Sequence, residues 1–222
     1  MIDIALIDNI ITQLGYYFDA FLIPLATSII AFKLMKEKRQ TGKFNPIRTI
    51  IFLIFLSFSA LGIIEFLVSV PPIELTLLDQ WFGGGIDNFD IYGFIIGTMV
   101  SLGVTMVFYA YRWESLYYLM GFIYGGMFVF YLVTGYDAWL ESYITICGAL
   151  GIIFLYFTAF RVKDNGALGL AIFFTIAFAT LAVDFGTEFL NHWVTQISIL
   201  TYSVFILIFS LGLFKPFKEV KN

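Results

Sequence analysis

The sequence predicts an all-α membrane protein: one domain over residues 1–222, a bundle of seven transmembrane helices with the N-terminus outside and the C-terminus in the cytoplasm. Three observations predict it. First, 60% of the 222 residues are hydrophobic and only 13% are charged, against about 25% charged in soluble domains, and the mean hydropathy is +0.92. A soluble core of this size has too little interior for so much apolar surface. Second, seven apolar stretches approach the ~20 residues that cross a bilayer: 14–34, 47–70, 90–111, 115–135, 139–161, 166–189 and 193–214. Third, all 12 basic residues fall on one side of that seven-span arrangement. The positive-inside rule makes that side cytoplasmic, and a miscount by one span would scatter the basic residues over both faces.

Span one carries Asp19 and Pro24; a proline inside a helix removes a backbone hydrogen bond and bends it. The first basic residue, Lys33, follows this apolar stretch instead of preceding it, so a cleaved signal peptide is not expected. Lys33, Lys36, Lys38, Arg39, Lys43 and Arg48 join spans one and two. Span two holds Glu65 and is stopped by Pro71-Pro72. In the connector that follows, Ile73, Leu77, Leu78 and Trp81 share one helical face before Gly83-Gly84-Gly85, which predicts an interfacial helix on the outer surface.

Span three begins at Asp90 and carries a stripe of hydroxyls, Thr98, Ser101 and Thr105; Arg112 closes it. Span four has Gly121-x-x-x-Gly125, a spacing that admits close approach of another helix, from this chain, a second copy or a membrane partner. Span five contains Cys147, the one cysteine, so no intramolecular disulfide exists. Arg161 and Lys163 separate it from span six, in which Asp184, Glu188 and, just beyond, His192 follow at i, i+4, i+8. That spacing lays them along one helix face. Span seven offers Thr195, Ser198 and Tyr202, and Lys215, Lys218 and Lys221 follow it. Trp81, Trp139 and Trp193 near the outer boundary and Trp113 near the inner one read as an aromatic belt.

Ala31-Phe32-Lys33 recurs as Ala159-Phe160-Arg161, and Glu65-Phe66-Leu67 as Glu188-Phe189-Leu190. The pattern suggests a 3+1+3 parallel pseudo-repeat, with span four as the joint.

Function is read from the acids. Twelve of the 16 lie on the outer side. Asp19, Glu65, Asp184 and Glu188 sit one to three turns inside the outer ends of their spans, with Asp90 at the start of span three. Ionisable groups at membrane depth are costly and mark functional sites. No lysine or arginine lies at their depth, so they must be protonated, hydrated or balanced by a bound cation. The expectation is an outward-opening acidic vestibule for ions or protons, formed by Asp19, Glu65, Asp90, Asp184, Glu188 and His192. A polar path leads inward from it along Thr98, Ser101, Thr105, Thr195, Ser198 and Tyr202. Asp184, Glu188 and His192, two carboxylates and an imidazole on one helix face, also have the chemistry of a divalent-metal site.

These features point to a small cation or proton transporter or channel of the plasma membrane. The alternative is a seven-helix receptor-like sensor, or a non-transporting partner subunit of a membrane complex. No catalytic residue set is present: HExxH, GxSxG and Walker loops are missing, so no enzyme is expected. One histidine cannot build a haem centre, and no lysine lies midway along span seven to hold retinal. No cofactor and no nucleic-acid partner is expected; the bilayer itself is the partner.

Overall fold

A computed structural model describes residues 4–69, 91–182 and 188–217. These residues form seven α-helices: α1 (Ile4–Thr41), α2 (Pro46–Ser69), α3 (Ile91–Ala110), α4 (Leu119–Thr134), α5 (Ala138–Val162), α6 (Asn165–Ala182) and α7 (Glu188–Leu211). A short 3-10 turn, Glu114–Leu116, precedes α4. Six of the helices are long and apolar enough to cross a membrane; α6 is apolar too, but its described stretch is shorter. The chain is therefore a polytopic membrane protein.

The expected interfacial helix between Pro71 and Asp90, and Asp184, lie outside the described residues. Two boundaries differ from expectation. Helix α1 starts at Ile4, ten residues before the apolar run at 14, and continues through Pro24. Asp8, Asn9, Thr12 and Gln13 interrupt the apolar count there without breaking the helix, because such residues cost only a few tenths of a kcal/mol each in a helix. Glu188 belongs to the first turn of α7, not to the end of span six, and His192 follows it in the same helix.

Six helices close a ring in which each packs on two neighbours, in the order α1, α2, α3, α5, α6, α7 and back to α1. Across the ring, α2 and α6 meet through aromatic side chains, Phe55 and Phe58 against Phe173, with centroids 5.7 and 4.9 Å apart. Helix α4 stands outside it, packed on α3 and α5 alone. The main core cluster, with Ile23, Ile54, Phe55, Leu155, Leu170, Phe173 and Ile206, is drawn from the ring helices. Tyr124 and Phe128 of α4 form a separate cluster with Leu140 and Tyr143 of α5. Gly97 of α3 lets α4 in: a side chain there would collide with the Tyr124 ring, whose Oη donates to the Phe94 carbonyl at 2.6 Å.

Polar contacts gather the basic residues at one end of the bundle. Lys33 Nζ of α1 donates to the Ser210 carbonyl near the C-terminus of α7, a position where the exposed helix carbonyls favour a cation. Arg48 of α2 pairs with Glu37 of α1 at 3.1 Å. Arg161 of α5 stacks over the Tyr111 ring at the end of α3. Asn165 at the start of α6 exchanges hydrogen bonds with the backbone of Phe217 beyond α7.

Candidate functional site: a central cavity with a buried carboxyl

The middle of the ring is filled by side chains, with Phe55 and Phe58 of α2 packed on Phe173 of α6, and beside that cluster the filling is incomplete. A cavity of about 240 Å³ remains, walled by all six ring helices and by none of α4. Its wall is drawn from one face of each helix. Ile144, Gly148, Gly151 and Leu155 of α5 follow at i, i+4, i+7 and i+11; Ile96, Val100 and Gly103 of α3 and Thr195, Ile199 and Tyr202 of α7 repeat the spacing. These steps return to the same side of a helix. Gly103, Gly148 and Gly151 lie on this wall. At Gly103 a Cβ would have its nearest neighbour, the Phe174 ring, at 3.7 Å, so a full side chain there is missing where space exists for one.

Asp19 is the charged group set deepest in this wall, 3% exposed. Tyr202 Oη donates to its Oδ2 at 2.7 Å and Ser203 Oγ to its Oδ1 at 2.6 Å. Both donors come from α7, and both are buried. The seat also needs α2. Gly62 faces the Asp19 backbone so closely that a Cβ would lie 3.1 Å from its carbonyl carbon, oxygen and Cβ. Glu65, one turn outward on α2, lines the same cavity, near enough for its charge to act on Asp19. One turn inward from Gly62, Ser59 and Thr27 join α2 to α1 by a hydroxyl pair at 2.7 Å. On the outward side, Gly15 makes space for buried Gln196. The Gln196 Oε1 has no hydrogen-bond partner among the described residues.

Asp19 sits deeper than the sequence suggested. With α1 extending to Ile4, fifteen residues precede Asp19 in the helix, about 22 Å at 1.5 Å per residue. Fourteen more reach Lys33 at the basic end, about 21 Å. Asp19 is thus near the mid-depth of the bundle.

The structure brings Asp19, Glu65, Thr195 and Tyr202 together on one wall. It does not bring Thr98, Ser101, Thr105 or Ser198 to that wall. Thr98 Oγ1 donates to the Phe94 carbonyl of its own helix. Ser101 bonds the Gly97 carbonyl and the Tyr143 hydroxyl, which ties α3 to α5. The hydroxyl stripe of α3 is therefore a packing face turned from the cavity, and the face that lines it is apolar. Asp90 and Asp184 lie outside the described residues, as do the side chains of Glu188 and His192. Among the described residues no group of three metal-ligating side chains occurs. Gly121 and Gly125 have no neighbour within 4 Å of a Cβ position; no helix of this chain seats there among the described residues.

Three contributors went unread in the sequence: Ser203, Gly62 and the glycine face Gly103, Gly148, Gly151. Their signal was present as small residues at helical spacing on spans two, three and five. The chain matches no family model, and no curated protein or solved structure is significantly similar to it.

Proposed function

We propose that this protein is a small permeation unit of the plasma membrane, a transporter or channel for protons or a cation, with the ring cavity as its central binding site. The observation that carries the reading is Asp19: a carboxyl buried at mid-bundle depth, held by two hydroxyls, on the wall of a cavity that no lysine or arginine among the described residues lines. A carboxylate in such a place requires a proton or a cation to balance it. Glu65 marks the outer approach, and Asp90, Asp184, Glu188 and His192 would extend the acidic vestibule above it.

The basic end of the bundle faces the cytoplasm in this reading, which sets the N-terminus outside, and α6 crosses as span six to complete seven spans. The ring order supports a 3+1+3 repeat: α1–α2–α3 and α5–α6–α7 occupy opposite arcs, and α4 links them from outside.

The test is flux. Purified protein in liposomes with a trapped pH indicator is expected to pass protons or a monovalent cation down an imposed gradient. Asp19→Asn, folded and inserted as well as the parent, is expected to lose most of that flux. A wild-type protein that passes neither protons nor any cation refutes the proposal and points instead to a receptor-like or partner-subunit role.

A further inference from the structure

The chemistry of the cavity wall narrows the cation, an inference that rests on the reading of this cavity as the functional site. We propose that the cavity binds a small organic cation with an apolar body, of the arylalkylammonium class, its ammonium at the Asp19–Glu65 edge and its ring among the side chains of α3, α5 and α6.

Inorganic divalent cations suit this wall poorly. Calcium takes about six to eight oxygen ligands and magnesium requires near-octahedral oxygens. Among the described residues, side-chain oxygens reach the cavity from Asp19, Glu65, Thr195 and Tyr202, and both oxygens of Asp19 already accept a hydroxyl. The rest of the wall, with Met99, Leu155, Phe174 and Phe178, is apolar. An ammonium needs only a few acceptors on one side and can leave its apolar body against such a wall. Ionised carboxylates accept at about four lone-pair positions, so Asp19 retains capacity beyond its two hydroxyl donors.

Aromatic surface flanks the acid. The Phe58 and Tyr202 rings both line the cavity and meet edge to face, with centroids 5.4 Å apart. A carboxylate beside aromatic faces is the surrounding in which ammonium groups are held. Among the described residues no lysine or arginine lines the cavity to oppose one. Size agrees. An apolar cavity of about 150 Å³ accommodates benzene. The 240 Å³ here leaves about 90 Å³ more, roughly three waters' worth at ~30 Å³ each, enough for a short aminoalkyl arm.

The experiment is calorimetry on the full chain in nanodiscs, with 2-phenylethylammonium as probe and 2-phenylethanol as its neutral counterpart. The expected result is saturable binding of the ammonium, about tenfold or more tighter than the alcohol, equivalent to about 1.4 kcal/mol. Gly103→Leu, which fills the cavity opposite Phe174, is expected to abolish binding, and Asp19→Asn to weaken it at least about tenfold. Should Asp19→Asn fail to fold, Gly103→Leu and the alcohol still decide. No saturable ammonium binding, equal binding of the alcohol, or undiminished binding to Gly103→Leu overturns the inference. Proton flux without the amine, measured in parallel, separates the two readings. Flux with no amine binding overturns this inference and spares the permeation proposal; amine binding with no flux of any cation does the reverse.

Discussion

Removing the two hydroxyls that hold Asp19 tests whether its carboxyl is a charged group kept in place by them. Tyr202→Phe keeps the ring, with its edge contacts to Phe58 and Phe173 at 5.4 and 5.8 Å, and deletes only the donor to Oδ2. Ser203→Ala deletes the donor to Oδ1 at a position with no exposed surface. The O···O distances of 2.7 and 2.6 Å fall in the range of hydroxyl bonds to a carboxylate. Hydrogen bonds to a charged group contribute about 1.5–3 kcal/mol each, neutral ones about 0.5–1.5, and side-chain bonds inside bilayers average about 0.6. An ionised Asp19 therefore predicts a loss of about 1.5–3 kcal/mol for each single variant. With one donor gone, the carboxyl takes up a proton more readily, and the second bond falls to the neutral scale. The double variant should then lose about 1 kcal/mol less than the sum of the singles, well above the ~0.5 kcal/mol at which coupling is resolved. Reversible unfolding in mixed micelles, followed by the fluorescence of the four tryptophans, measures all three variants. Additive losses, or single losses under about 0.5 kcal/mol, would refute the picture of a charged carboxyl bound by two donors.

Gly62→Ala should destabilise by about 1 kcal/mol or more in the same assay, despite its better helix propensity, because the new methyl meets rigid Asp19 backbone at 3.1 Å; flux should fall with it. Gly97→Ala should cost about 1–3 kcal/mol by expelling the Tyr124 ring and its bond to Phe94, with proteolysis near α4 rising as the readout. Glu37→Gln should change stability by less than about 0.5 kcal/mol, since its ion pair with Arg48 is exposed; a larger change in the unfolding midpoint would contradict that. Cys147, on the cavity wall, should react faster with a cationic methanethiosulfonate than with an anionic one, because the acids nearby concentrate cations. Mass spectrometry of the single thiol reads the ratio, and equal rates would count against an acidic cavity.

The helices were legible because lipid imposes length and apolarity directly on sequence. Six described helices meet that test, and the basic connectors group as the charge rule requires. Asp19 was legible as a candidate because a carboxyl at membrane depth is expensive wherever it lies. Its depth was not, because the apolar count began at residue 14 while helix formation, indifferent to a few polar side chains, began at Ile4. The stripe Thr98, Ser101, Thr105 misled for a related reason. In a helix a hydroxyl can bond its own backbone one turn back, as Thr98 does, so polarity alone does not say which way a face points. The cavity face was hidden in absence: Gly103 leaves room for a side chain, while Gly148 and Gly151 admit Phe178 and Val104 closely, and a missing side chain carries no chemical signal until its neighbours are known.

The position of α4 has a consequence for biogenesis. Helices α3 and α5 are neighbours in the ring, yet successive spans reverse direction, so neighbours that run the same way need a return passage between them. Helix α4 supplies that passage while contributing nothing to the cavity wall. Its role is one of parity. A chain lacking it would thread its last three helices upside down, carrying Arg161, Lys163 and Lys215 to the end opposite Lys33 and Arg48. Selection on α4 should therefore act on its being a crossing at all, which leaves its outward surface, with Phe122 and Val133 each 78% exposed, free to change so long as it stays greasy.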